Sequence, residues 1–307
     1  MLNEHPLVTI AVPTYNRADA FLKQAIKSAL SQTYPSLEII ISDNCSIDET
    51  ESVVKSFSDQ RLRYFRHGKN IGANNNFNYC LEKAAGAYFL LLHDDDLIDD
   101  DFIETCLKAA NYNDRVGIIR TGARCIDSAG NIILERKNLA NGLSLTDFFL
   151  AWFSDKTPMY LCCTLFNTKQ LKAIGGFKSK HNLYQDVITE VNLAARQGRV
   201  DVKDIKASFR NHPMQNTNSV TMGAWCEDSL ILLDTMCRLA PNDQKLLKHT
   251  GFQYFLKRNF MMATRIQSPV QKYMAYLTVF KKFHYPVNFF AKRFRIKIEE
   301  VINSVFS

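Results

Sequence analysis

The chain has 307 residues, 46% hydrophobic and 22% charged, which is enough apolar material for a sizeable core and excludes a disordered chain. Thirty-eight basic and 31 acidic residues leave a formal charge of +7, an excess that suits anionic partners without choosing among them. Eight cysteines, at 45, 80, 106, 125, 162, 163, 226 and 237, form no C-x-x-C pair, which argues against a zinc site or a secreted disulfide framework and for scattered buried thiols in a reducing compartment.

Residues 1–6 carry Asn, Glu and His and lead straight into a strand, so no signal peptide is expected. No stretch nears the roughly 18 apolar residues of a membrane span, and the expected location is cytoplasmic, at most at the inner face of a membrane. Residues 7–12 read as a strand closed by Pro13, Thr14, Tyr15, Asn16 and Arg17. Helical spacing follows in Phe21, Leu22, Ala25, Ile26, Ala29 and Leu30. Residues 37–41 form a second strand running into Asp43 and Asn44, and Asp48 with Glu51 three residues later suggests a capping box for the next helix. Residues 61–66 read as a third, edge-like strand. Phe77, Cys80, Leu81 and Ala84 mark a further helix, and residues 88–92 form an apolar strand of the kind buried on both faces. It runs into His93, Asp94, Asp95 and Asp96, and Phe102, Cys106, Leu107 and Ala110 resume helical spacing.

This alternation predicts a doubly wound α/β domain with a mostly parallel sheet, whose ligands lie beyond the carboxyl ends of the strands. The ends at residues 13–17, 43–44 and 94–96 should therefore meet in one cleft. Farther on, residues 116–121 and 159–166 read as strands, residues 123–135 as a hairpin, and residues 145–153 as a short aromatic helix. From about residue 224 the pattern is helical throughout. The expected division is a catalytic domain over 1–222, with halves at about 1–115 and 116–222, and a helical region over 223–307.

Three consecutive aspartates at the end of a buried strand repel one another unless a cation intervenes. A hard divalent ion removes that repulsion and binds phosphate oxygens as well; a solvated loop is the plainer alternative. Asp99, Asp100 and Asp101 read as caps for the next helix. Asp43 either accepts from a nucleobase N–H or forms a turn with Asn44. Asn70, Gly72 and Asn74 make a Gly turn among amides suited to ribose or phosphate, and Arg17 and Arg66 can pair with phosphate.

Four segments carry a resemblance. They are residues 8–17 (VTIAVPTYNR), residues 42–46 (SDNCS) with Asp48 and Thr50, residues 70–72 (NIG), and residues 91–96 (LLHDDD). In order and spacing they resemble family 2 glycosyltransferases, strongly over residues 7–100 and more thinly to about 215. The resemblance implies the GT-A fold, with its Rossmann-like sheet, and an inverting transferase that moves a sugar from a nucleoside-diphosphate sugar, UDP-linked by expectation, to a hydroxyl of a glycan or lipid-linked acceptor, in surface polysaccharide or glycoconjugate assembly. It places Thr14, Tyr15 and Arg17 along the nucleotide pocket and Asp43 at the base, and with Pro13, Asn44, Arg66, Asn70, Gly72, Asn74 and Asp94 they make up the expected donor site. Mn²⁺ or Mg²⁺ would lie on Asp94, Asp95, Asp96 and His212. The family's D-x-D element maps onto His93, Asp94 and Asp95, so its first position departs from the pattern. After Gly175, Gly176 and Phe177, the customary Glu-Asp pair is Gln185-Asp186, so the resemblance implies Asp186 as the catalytic base, where the residues alone read as a helix N-cap.

Two other readings remain: a nucleotidyltransferase, for which residues 13–17 supply an Arg but no Gly, and a sugar-nucleotide binder whose site has decayed. An NAD-binding fold is disfavoured because no G-x-G-x-x-G follows the first strand. From Gly251 on, ten basic residues meet only Glu299 and Glu300. With Phe289 and Phe290 beside them, they suggest either a helical bundle packed on the catalytic domain with a solvated charged face or peripheral contact with an anionic membrane. No nucleic acid is expected among the partners.

Overall fold

The computed structural model describes residues 5–18, 20–212 and 220–284. It divides into two compact units, Met1–Gln215 and Asn216–Ser307. Residues 285–307, which include Phe289, Phe290 and the last basic residues of the membrane reading, lie outside the described residues.

The first unit is built on a nine-stranded sheet. Its parallel half holds β1 (Val8–Thr14), β2 (Leu37–Asp43), β3 (Leu62–Arg66) and β4 (Tyr88–Leu91) in the order β3-β2-β1-β4. The sheet continues through β8 (Thr164–Asn167), β6 (Ile118–Ile126), β9 (Arg199–Arg210) and β5 (Leu97–Ile98), with β7 (Ile132–Arg136) paired to β6. Pairing makes β6 and β9 co-directional with the first four strands, while β5, β7 and β8 run the opposite way.

Alternation along the strands explains the two helical layers. Val8, Ile10 and Val12 face a core shared with Leu22, Ile26 and Ala29 of α1 (Ala20–Leu30). The same core takes Val53 and Val54 of α2 (Thr50–Lys55), and Phe102, Cys106 and Leu107 of α4 (Phe102–Ala109). On the opposite face lie α3 (Ala73–Lys83), α6 (Thr168–Ala173) and α7 (Gln185–Gln197). There Phe177 packs 6.3 Å from Phe89 and 5.5 Å, edge-on, from Phe166. Helix α5 (Leu145–Phe153) starts at Ser144, whose hydroxyl accepts from the Asp147 amide. The Gly175-Gly176 turn has a physical cause. Both glycines have positive φ, and a Cβ on Gly176 would overlap Asn78, which bonds both the amide and the carbonyl of Phe177.

Several local expectations change. Asp48 and Glu51 form no capping box: Asp48 accepts from Thr50 and Ala18, while Glu51 pairs with Lys55. Asp99 and Asp101 spend their carboxylates on Arg124 and Lys206 rather than on the α4 amides. The strand expected at 159–166 is a 3₁₀ turn over Leu161–Cys163 followed by β8. All eight cysteines are free thiols.

The second unit comprises α8 (Met222–Leu239), α9 (Gln244–Thr264) and α10 (Pro269–Lys282). Ala263, Ala275 and Tyr276 form one apolar cluster in it with Met222, Phe260, Ile266 and Phe280, and Leu232, Leu233, Met236, Leu247 and Phe255 are buried as well. Among the described residues, no helix is long and apolar enough to cross a membrane.

Candidate active site

The strand order reverses between β1 and β4, and the carboxyl ends of β1, β2, β3 and β4 open on one side. Such a switch point is where open α/β sheets take ligands. In register, Thr14 sits beside Asp43, and Asp43 beside Arg66.

The β1 and β2 ends are stitched together by side chains. The amides of Asn16, Arg17 and Ala18 donate to Ser46 Oγ, Thr50 Oγ1 and Asp48 Oδ2 at 2.8, 3.0 and 2.9 Å. The Ile47 amide donates back to Asn16 Oδ1 at 2.9 Å. Three successive N–H groups are thereby occupied, so this loop is not a phosphate-cradling amide nest.

Asp43 is fully buried. It accepts from the Ser46 amide at 2.8 Å and from the Tyr64 hydroxyl at 2.7 Å, with Arg66 Nε at 3.6 Å. Burial and that hydrogen bond push the Tyr64 phenol up, so it stays a donor. Asn44 bonds Asn70 at 3.0 Å and receives the Ile71 amide at 2.8 Å, while Asn70 Oδ1 takes the Gly72 amide at 2.8 Å. Gly72, at φ 83°, then starts α3, a conformation that favours glycine.

At the end of β4, His93, Asp95 and Asp96 bring ligand-type atoms within 4.8 Å of one another. Asp94 stands outside that group, 3.7 Å from Arg17 Nε, and Arg17 Nη2 is 3.9 Å from Asp95. His212 Nε2 lies 2.7 Å from Asp95 Oδ2. The amide of Arg210 donates to Asp96 Oδ1, and its Nε donates to the Asp95 carbonyl, both at 2.8 Å. Arg210 therefore holds the acidic run on β9. Burial and the adjacent Asp95 charge push the Asp96 carboxyl well above its usual range. Burial pushes His93 down.

Asp186 lies in the first turn of α7. The Gly117 amide at the start of β6 donates to Gln197 at the helix's far end. Glu190, one turn after Asp186, lies 3.0 Å from Arg120 farther along β6. Helix α7 thus runs antiparallel to β6 and carries Asp186 toward the carboxyl edge.

Buried polar atoms without partners mark the same edge. Thr14 Oγ1, Asn74 Oδ1, His93 Nε2, Gln185 Oε1 and His212 Nδ1 have none among the described residues. Buried polar groups are nearly always bonded, so such a set points to a ligand.

Comparison with known proteins decides what this edge belongs to. The model of glycosyl transferase family 2 matches residues 9–174. The chain belongs to that family. As a family 2 glycosyltransferase it is an enzyme acting on nucleotide sugars. It is 28% identical over 295 residues to the GalNAc(5)-diNAcBac-PP-undecaprenol beta-1,3-glucosyltransferase of Campylobacter jejuni, covering 92% of this chain and 90% of that protein. Shorter matches of 114 to 137 residues span only 15% to 47% of the proteins concerned. Among solved structures, S. aureus TarS 1-349 in complex with UDP-GlcNAc superposes with a TM-score of 0.68 at 15% identity, covering 90% of this chain and 80% of that one. A mannosyltransferase of Pyrobaculum calidifontis in complex with GDP-Man and Mn²⁺ gives 0.54 at 19% identity, covering 91% and 74%. The fold is GT-A.

Within this family 2 site, three features were not expected from sequence. His93 joins the ligand-capable group although it departs from D-x-D; its residue type, itself a metal-ligand type, was the signal. Arg210 and Glu190 carried no sequence signal. Arg120, Glu190 and Asp201 form a buried charge cluster, with Arg120 3.1 Å from Asp201 and stacked 4.8 Å from the Phe148 ring. Burial pushes Glu190 up to about 8 against the pull of Arg120.

Proposed function

We propose that this chain moves a sugar from a nucleoside-diphosphate sugar, UDP-linked by expectation, to a hydroxyl of a lipid-linked glycan, with inversion at the anomeric carbon. The observation that carries the reading is the His93, Asp95 and Asp96 group at the end of β4, with the orphaned buried atoms of Thr14 at the end of β1, of His93 itself, and of His212 beside Asp95. The names of the relatives add support, since one uses an undecaprenol-linked acceptor and one neighbour binds UDP-GlcNAc.

The residues fit a divalent cation. Asp95 and Asp96 offer hard oxygens, His93 Nε2 has no partner among the described residues, and added positive charge relieves a carboxyl that burial disfavours. His93, Asp95 and Asp96 would hold it, with Asp94 and His212 at its side. When bound, Mn²⁺ or Mg²⁺ offsets the charge that builds on the leaving diphosphate.

The chain's own groups supply the rest. Arg17, already beside Asp94 and Asp95, turns to the diphosphate. Asp43, fixed by Tyr64 and Ser46, receives the base with Thr14 and Tyr15, and Asn44, Asn70, Gly72 and Asn74 line the ribose side. Asp186 accepts the acceptor's hydroxyl proton while that oxygen bonds to the anomeric carbon and the carbon–oxygen bond to the diphosphate breaks. The nucleotidyltransferase alternative loses ground because the amides of residues 16–18 are already occupied.

The test is a thermal-shift screen of UDP, GDP, dTDP, CMP and NAD, each with Mn²⁺ or EDTA. One nucleoside diphosphate at about 100 times its Kd adds about 2.7 kcal/mol, and only with metal. A full shift in EDTA removes the metal from the reading. No shift with any nucleotide removes the donor.

A further inference from the structure

Helix α10 is apolar on two sides. One side, through Ala275, Tyr276 and Val279, is buried within its own unit. The other holds Val270, Tyr273, Met274 and Leu277, which are 68%, 39%, 56% and 41% exposed. Their spacing of i, i+3, i+4 and i+7 is one continuous stripe, and a helix facing only water has no use for a second one.

Charge selects the occupant. Residues 244–284 contain eight Lys or Arg and no Asp or Glu. Lys281, exposed and eleven residues after Val270, ends the stripe on the same helical face. A second copy would set these like charges against each other, whereas an anionic lipid surface complements them. The sequence continues past α10 with Phe289, Phe290, Lys292, Arg293, Arg295 and Lys297, the same basic and aromatic chemistry. With 14 residues, α10 spans about 21 Å, short of the roughly 30 Å of a bilayer core. The contact is therefore interfacial.

We propose that α10 docks this chain on anionic phospholipid, with Val270, Tyr273, Met274 and Leu277 entering the interface and Lys281 at the headgroups. This rests on, and deepens, the reading of a lipid-linked acceptor, which must be met at a membrane.

Full-length protein is floated with vesicles of phosphatidylcholine alone or mixed with phosphatidylglycerol, without donor or acceptor. Binding to the mixed vesicles is expected, falling with salt. Met274→Ser/Leu277→Ser weakens it about tenfold or more, and Lys281→Glu weakens it about fivefold or more. Both variants alter exposed side chains, so the metal-dependent nucleotide shift stays as in wild type; that separates failure of docking from failure of the donor reading. Wild-type protein that ignores anionic vesicles, or variants that bind as wild type does, overturns the proposal. So does light scattering that finds a wild-type dimer and a monomeric stripe variant, which would give the face to a second copy.

Discussion

His212 Nε2 and Asp95 Oδ2 are 2.7 Å apart, which ties the exit of β9 to the middle of the acidic run after β4. A histidine so placed orients the carboxylate whether or not it ligates the ion itself. His212→Ala should lower metal affinity about 10- to 100-fold. The check is a Mn²⁺ titration of EDTA-treated protein, reading the nucleotide-dependent thermal shift. An unchanged midpoint separates His212 from the metal site.

Asp186 lies in the first turn of α7 and is the base in the proposed transfer. Asp186→Asn should lower kcat by about two to four orders of magnitude and leave donor binding as it is. Turnover at the wild-type rate would place the base elsewhere.

The buried cluster around Arg120 predicts a pH effect on stability. Glu190 titrates near 8 when folded, against an ordinary 4.5, so between those values the folded chain holds a proton that the unfolded chain has released. Stability therefore falls as pH rises through that window and levels off above it. Glu190→Gln should flatten this part of the profile, read from urea midpoints across the window. A glutamine variant with the wild-type slope assigns the proton to another group.

Gly176, at φ 76° and against Asn78, should not tolerate a side chain. Gly176→Ala is expected to destabilise by about 1–3 kcal/mol, seen as a lower Tm. A melting temperature equal to wild type would mean that the turn and Asn78 can move apart.

While β3 showed itself as an edge strand by its alternating arginines, strands β1, β2 and β4 were legible because they are buried on both faces and read as largely apolar runs ending in polar residues. The second half was not, because its pairing is set across long separations: β8 inserts antiparallel between β4 and β6, and β5 is two residues paired to β9. Asp43 showed itself at its strand's end. Glu190 did not, since a carboxylate inside an ordinary helix gains its role only from Arg120, 70 residues away (190 minus 120). Asp101 does stand at the N-cap of α4, but nothing local reveals that its carboxylate goes to Lys206 and that of Asp99 to Arg124.

The bonds that fasten residues 16–18 to residues 46–50 bear on how fast a donor is captured. A segment whose amides are already engaged has little freedom left to lose, so its encounter with ligand is not gated by loop folding. Stopped-flow association should then be a single phase whose rate climbs linearly with nucleotide concentration. Weakening the fastening with Asp48→Ala should bring in a slower, concentration-independent phase, the signature of a segment that must first order itself.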